Sequence, residues 1–349
     1  MEKSFQNKLQ HCKQSTSVDV AKLARVSQST VSRVFSGLST VSPEIRQRVL
    51  DASNQLGYRP NALARSLISR RTSLIALLVM RNESPFYHHM IDYVIDEAQR
   101  RKYNVIIVRQ RDNESGADMI SHALEYRVDG VIVTAIEDSE IAREACVESD
   151  IPIVLLNRYI AGVNADVVCC DNYAAGVMVA NYLNKKGHRK IACLIGDERA
   201  LITRDRILGI KDQCEALALN VADIRYGAFT YRSGREMCLE MMDSLDAMPD
   251  AIFCGADVIA FGVIDTLRND FGLRVPEDIS VIGFNDIKEA QWGAYNLTTV
   301  RQPFHDLASS GLDLLIRRIE TPDAPAMKIQ HNCSIVERGT VLDRSSGTK

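Results

Sequence analysis

Thr16-Ser17-Val18-Asp19-Val20-Ala21-Lys22-Leu23-Ala24-Arg25-Val26-Ser27-Gln28-Ser29-Thr30-Val31-Ser32-Arg33-Val34-Phe35 is the stretch whose reading decides the fold. Thr16-Ser17-Val18-Asp19 has the form of a capping box, with Asp in place of Glu, so a helix begins at Ser17. Val20, Leu23 and Ala24 follow at helical spacing, and Ser17–Arg25 reads as one amphipathic helix with those residues inward. Val26-Ser27 is a tight turn, and Ser27 caps a second helix, Gln28–Phe35, which buries Val31, Val34 and Phe35. Gly37 stops that helix, and Ser42-Pro43 opens a third with proline at its first position. Ile45, Val49, Ala52 and Leu56 form the core stripe of the third helix, and Gly57 ends it. Short helices joined by so tight a turn make a helix-turn-helix. The second helix exposes Gln28, Ser29, Thr30, Ser32 and Arg33, all able to hydrogen-bond to bases or phosphates and none acidic. Arg33 suits the O6 and N7 of guanine, and Gln28 and Ser29 stand at the helix start, where base edges are met. The competing reading of such a unit is a three-helix protein-interaction module.

Charge agrees with the helix-turn-helix but does not by itself exclude a solvated basic tail, so the local pattern decides. Residues 1–72 carry twelve Lys/Arg against four Asp/Glu, whereas the remainder carries thirty against forty-one. A basic end on an acidic body points to an anionic partner for that end alone.

The chain has 349 residues, 46% hydrophobic and 25% charged, enough for two or three ordinary globular units. No apolar run approaches the roughly 18 residues of a membrane span. Residues 1–16 are polar and lack an apolar signal core, so export is not expected. Nine cysteines are scattered without a Cys-x-x-Cys pair or zinc spacing, and the adjacent Cys169-Cys170 reads as a reduced core pair. A cytoplasmic protein without metal or cofactor is the expectation.

From Ser73 onward, apolar strands alternate with helical stretches. Leu74–Val79, Val105–Val108, Gly130–Thr134 and Ile153–Leu156 read as strands, separated by helices at Phe86–Arg101, Met119–Tyr126 and Ser139–Ser149. A second set follows, with strands at Lys190–Ile195, Ile224–Tyr226, Ala251–Cys254 and Ile279–Phe284. Its helices are Ala174–Lys186, Arg204–Ala218, Ser233–Leu245 and Ile259–Arg268. Such alternation predicts α/β architecture with parallel sheets covered on both faces, here in two similar lobes with a ligand cleft between them. The sequence holds no Gly-x-Gly-x-x-Gly after a strand, no phosphate loop and no nucleophile elbow, so nothing in it argues for an enzyme.

Val20-Ala21-Lys22-Leu23-Ala24, Val26-Ser27, Thr30-Val31-Ser32-Arg33-Val34, Leu56-Gly57-Tyr58-Arg59-Pro60-Asn61 and Ala64-Arg65-Ser66-Leu67 resemble the LacI/GalR family of bacterial regulators, and the likeness runs from about residue 16 to 339. The resemblance implies an extension at 1–16, a helix-turn-helix domain at 17–60 and a hinge helix with linker at 61–72. The effector domain, similar to periplasmic binding proteins, would have one lobe from 73–172 and 300–332 and another from 173–299 and 333–349. Implied DNA contacts are Thr16, Gln28, Ser29, Thr30, Ser32, Arg33, Asn61, Ala64, Arg65 and Leu67, with Leu67 as a minor-groove wedge. A hinge helix over Asn61–Ile68 is too short to be stable alone, so it would fold in pairs on DNA. The family pattern departs at Ser36, where asparagine is usual.

Implied effector contacts are Phe86, Asp171, Arg206, Phe229, Asn285 and Gln302. Phe86 and Phe229 also read as core residues, Asp171 as a helix N-cap, Arg206 as an ion-pair member and Gln302 as a hinge contact. Ala256 stands where an asparagine is usual, and Asn285 where several relatives have aspartate. Losing that carboxylate, with Arg204 as a second cation near Arg206, favours a sugar acid or sugar phosphate over a neutral sugar. The expected function is a dimeric repressor that reads pseudo-palindromic operator DNA and answers to a small carbohydrate effector. A co-regulator controlled by a docked protein, or an enzyme with an accessory DNA-binding domain, are the other classes. The last ten residues show no leucine heptads, so a dimer is favoured over a tetramer.

Overall fold

A computed structural model describes residues 15–35, 41–59, 71–79, 84–111, 114–134, 151–160, 165–244 and 247–345. The chain divides into two units, 1–72 and 73–349. Gly37, Ser36, the hinge helix expected at 61–68 and the helix expected at 139–149 lie outside the described residues.

The first unit holds α1 (Ser17–Ala24), α2 (Gln28–Phe35) and α3 (Pro43–Leu56). The capping box forms: Asp19 N–H donates to Thr16 Oγ1, and Thr16 N–H donates to Asp19 Oδ2. Arg25 takes a left-handed conformation at φ 54°, which ends α1 one residue earlier than expected. Ser27 Oγ accepts from Thr30 N–H at the start of α2, and Ser42 Oγ accepts from Ile45 N–H at the start of α3. Val20, Ala21, Ala24, Val31, Val34, Val49 and Ala52 make the core. Leu23, expected inward, is 43% exposed. The buried stripe of α1 is centred between Val20, Ala24 and Ala21, and at about 100° per residue Leu23 falls roughly 100° off it.

The second unit contains two sheets, each with six strands among the described residues. The first is ordered β11-β5-β4-β3-β1-β2, from β1 (Leu74–Val79), β2 (Asn104–Arg109), β3 (Gly130–Val133), β4 (Ile153–Leu156), β5 (Asp166–Cys170) and β11 (Lys328–His331). The second is ordered β12-β10-β9-β8-β6-β7, from β6 (Lys190–Ile195), β7 (Asn220–Tyr226), β8 (Ala251–Cys254), β9 (Ser280–Asn285), β10 (Thr299–Arg301) and β12 (Ser334–Val336). All pairings are parallel except β10 with β12. The two sheets therefore repeat one strand order, and each buries both faces, as parallel sheets must.

Alternation along β5 shows the two-sided burial. Val168 and Cys170 join the core under α4 (Pro85–Arg100) and α10 (Phe304–Glu320), while Val167 and Cys169 face Met119 and Ile120 of α5 (Gly116–Glu125). Cys169 and Cys170 are both free thiols, on opposite faces. The second sheet lies between α6 (Asn172–Lys185) with α7 (Leu201–Ala216) and α8 (Tyr231–Ser244) with α9 (Asp257–Asn269). The structure adds β5, α10, β10, β11 and β12 to the expected elements. Because β10 pairs with β9, residues 300 and 301, expected in the first lobe, belong to the second sheet.

Among the described residues the chain passes from one sheet to the other three times, at Asp171, at Gln302-Pro303 and at Asn332-Cys333.

Candidate functional site

On the first unit, Gln28, Ser29, Ser32 and Arg33 are exposed along one side of α2 and Thr30 is half-buried. The opposite side, Val31 and Val34, is buried. The α2 start is prearranged: Gln28 Nε2 donates to Ser17 Oγ at 3.0 Å, and Ser27 Oγ shares hydrogen bonds with Ser29 Oγ and Thr30 Oγ1 at 2.7 and 2.8 Å. α3 braces the unit by donating from Arg48 to the Ala24 carbonyl and from Arg46 to the Val34 carbonyl. These arginines satisfy carbonyls at the ends of α1 and α2 and leave Arg33 as the exposed cation of α2. Thr16 is exposed but is engaged with Asp19 as a cap. Asn61, Ala64, Arg65 and Leu67 lie outside the described residues.

In the second unit, strand carboxyl ends of the two sheets meet. Cys170 Sγ, at the end of β5, donates to Gln302 Oε1 at 3.2 Å, and Gln302 Nε2 donates to Asn285 Oδ1, at the end of β9, at 2.7 Å. Gln302 thus ties both sheets together at a crossing. Beyond it, the Tyr159 hydroxyl donates to Asp205 of α7, and Arg158 lies near enough to Tyr87 and Asp197 for its charge to act on both. His89 of α4 sits 3.4 Å from Glu289.

Arg206 of α7 is the central cation of this region. It is 3% exposed and donates to the Gly255 carbonyl and Asn172 Oδ1, both at 2.8 Å. Its guanidinium lies 3.4 Å from the centre of the Phe284 ring. Its Nε is buried without a hydrogen bond. Burial pushes its pKa down to about 10, against the influence of Cys333 and Cys170. Two glycines place it. A Cβ on Gly176 would meet the Arg206 carbonyl at 2.2 Å, and one on Gly209 would meet the Tyr173 carbonyl at 2.1 Å. The reciprocal absence of side chains lets α6 and α7 close together and carries Arg206 to Asn172.

The other expected contacts are distributed differently. Phe229 is half-buried, its ring 2.0 Å from where a Gly196 Cβ would stand, so glycine is required at the end of β6. Asn285 is 7% exposed at φ 124°, followed by Asp286 at φ 58°. Backbone in that region is costly for a non-glycine residue and persists where neighbours hold it. Here Gln302 holds Asn285, and Arg301 and Arg338 hold the Asp286 carboxylate, both at 2.6 Å. Asp171 caps α6 by accepting from Ala174 N–H. Phe86 is buried in the first lobe's core, 5.3 Å from Phe304. Arg204 is exposed and donates to the Glu198 carbonyl. Sequence reasoning passed over Asn172, Arg158 and Asp197. Their common signal is position, since each lies just past a strand's carboxyl end.

Family models match both units: "Bacterial regulatory proteins, lacI family" over residues 17–61 and "Periplasmic binding protein-like domain" over residues 180–341. The ribose operon repressor of Haemophilus influenzae is 31% identical over 311 residues, 88% of this chain and 93% of that protein. The chain belongs to the LacI family of bacterial regulatory proteins. This LacI-family chain also shares its fold with the lac repressor dimer bound to operator and the anti-inducer ONPF, at TM-score 0.82 and 24% identity, over 95% of this chain and 100% of that one. The CelR–cellobiose complex matches at TM-score 0.71 and 28% identity, over 94% and 100% of the two chains. As a LacI-family member it is a DNA-binding transcriptional regulator rather than an enzyme, in keeping with the expectation from its sequence. Among the described residues no helix is long and apolar enough to cross a membrane, and no group of three or more His, Cys, Asp or Glu is placed to hold a metal.

Proposed function

We propose that this regulator is a dimeric cytoplasmic repressor whose operator occupancy is set by a carbohydrate-class ligand held between the lobes, the ligand carrying a carboxylate or phosphate. The observation that carries the ligand class is the state of Arg206. A fully desolvated cation is costly unless it is paired, yet its two hydrogen-bond acceptors are a neutral carbonyl and a neutral carboxamide. A planar guanidinium whose Nε–H is free suits an anionic oxygen. Asn285 supplies an amide where a carboxylate would repel such a ligand. The cellobiose of the CelR complex and the name of the ribose operon repressor support a carbohydrate scaffold.

On DNA, Gln28, Ser29 and Arg33 select the half-site, with Thr16, Thr30 and Ser32 on the phosphates. Asn61, Ala64, Arg65 and Leu67 engage the minor groove between half-sites. The domains run as 17–60, 61–72 and a two-lobed body from 73 onward.

Fluorescence anisotropy of a labelled operator with the full-length protein tests the proposal. Titration with a sugar acid or sugar phosphate shifts operator affinity about 5–150-fold, the range of ordinary allosteric coupling. A shift with neutral sugars and none with the acidic ones removes the anionic assignment. No shift with any sugar favours control by a docked protein.

A further inference from the structure

Two cysteines meet where the chain crosses between the lobes. Cys170 ends β5 and stands opposite His331 in the β5–β11 register, two residues before Cys333. Cys333 lies in the crossing from β11 to β12 and packs against the cores of both lobes. Cys333 packs on the core cluster that contains Cys170, near enough for each sulfur to act on the other's proton. Cys170 is buried, whereas Cys333 is half-buried between the exposed Asn332 and Ser334. Cys170 has one proton, which in this structure is donated to Gln302 Oε1. When Cys333 ionises, the proton turns to it, because a charge-assisted hydrogen bond is the stronger.

This environment separates the pair from the other described thiols. The Cys170 hydrogen bond and the nearby Arg206 cation hold the Cys333 thiol below its ordinary pKa, against burial and Asp171. The same hydrogen bond, with burial, pushes Cys170 up. Burial also pushes up Cys169, Cys193, Cys214, Cys238 and Cys254. A partly exposed thiol whose pKa is lowered, with a second thiol beside it, is the arrangement that reacts first with oxidants.

We propose that Cys333 and Cys170 form a peroxide-reactive dithiol site whose oxidation joins two of the three crossing segments by a disulfide. The Cys333 thiolate attacks one oxygen of hydrogen peroxide, the O–O bond breaks, and hydroxide leaves and takes up a proton as water. The Cys170 sulfur, losing its proton, then attacks the sulfenic sulfur of Cys333, and the hydroxyl leaves as a second water. Two thiols are oxidised and one peroxide is reduced. The new S–S bond spans the end of β5 and the β11–β12 crossing, segments that relative lobe rotation must twist. This inference does not depend on the ligand assigned to the cleft.

The test is peptide mapping by mass spectrometry of the full-length wild-type protein, under non-reducing conditions, after stepwise addition of hydrogen peroxide. Among the seven described cysteines the first modification is a cross-link between the Cys170 and Cys333 peptides, two hydrogens lighter than their sum and reversed by a thiol reductant. In Cys170→Ser the cross-link is absent and dimedone labels Cys333 as a sulfenic acid. A wild-type Cys333 that stays reduced while the other described thiols oxidise, or that pairs with another cysteine, overturns the proposal. The wild-type map decides even if the variant does not fold.

Discussion

Arg206 Nη2 donates to Asn172 Oδ1 at 2.8 Å, and both side chains are buried. Asn172 is the first residue of α6, directly after a crossing between the sheets, so this buried cation is anchored beside that crossing. Arg206→Lys keeps a positive charge but cannot serve Gly255 and Asn172 in one plane or stack as broadly on Phe284. The expected loss is about 2 kcal/mol of ligand affinity, roughly thirty-fold, with operator affinity in the absence of ligand nearly unchanged. Calorimetric titration of the ligand found by the operator assay, alongside anisotropy without ligand, checks both.

Stability against pH should report Asp257. Its carboxylate accepts from Thr299 Oγ1 and from Ile287 N–H inside the second lobe. Burial pushes its pKa up to about 7, against the hydrogen bonds from Thr299 and Ile287. In the unfolded chain an aspartate titrates near 3.9. The native state therefore holds a proton that the unfolded state has lost, and this contribution to stability is full below about pH 4 and disappears as pH rises through about 7. In Asp257→Asn the amide donates to Thr299 Oγ1 and its oxygen accepts from Ile287. Denaturant unfolding at pH 5 and pH 8 should show a smaller loss of stability for the variant than for wild type. An equal loss in both would remove Asp257 from the account.

Thr16→Ala deletes the acceptor that caps α1 and leaves the Asp19 side chain without its hydroxyl partner. A cost of about 1 kcal/mol to the first unit is expected. Amide hydrogen exchange over residues 17–24 should accelerate roughly five-fold while exchange in the second unit is unchanged.

Arg33→Ala removes the exposed cation of α2. If Arg33 reads guanine, specific binding weakens by about 1–3 kcal/mol and base preference at one position of each half-site is lost. Were Arg33 a phosphate contact instead, binding to all sequences would weaken together and the salt slope would fall by about one. Leu67→Ala separates the hinge from the reader. A wedge at the central step predicts weaker operator binding with non-specific binding preserved.

The first unit was legible because its start and stop signals are local. Thr16, Ser27, Ser42, Pro43 and Gly57 act on backbone groups within a few residues, and each does in the structure what its position predicts. Leu23 was not legible in the same way, since the inward face of a helix of eight residues is set by what packs on it. In the body, Leu74–Val79, Ile153–Leu156, Lys190–Ile195 and Ala251–Cys254 were legible to the residue as apolar runs, the third opened by Lys190. β10, β12 and β11 are three or four residues long and gain their register only from β9, β10 and β5. The polar contacts around Arg206 and Gln302 were less legible. Arg206 was singled out by the family resemblance, but its hydrogen bond to Asn172, and the Cys170–Gln302–Asn285 chain, join residues 17 to 132 positions apart.

The three crossings also govern the order in which a nascent chain can finish its parts. α1 to α3 are complete once residue 56 has emerged from the ribosome, whereas the first sheet waits for β11 at residues 328–331 and the second for β12 at 334–336. Non-local pairing of this kind closes late, and domains form as units during synthesis. For most of translation, then, the molecule is a finished DNA reader trailing an unfinished sensor. A truncated product ending before residue 328 would keep the reader and lack an edge strand of each sheet, leaving a DNA-binding fragment that no ligand can command.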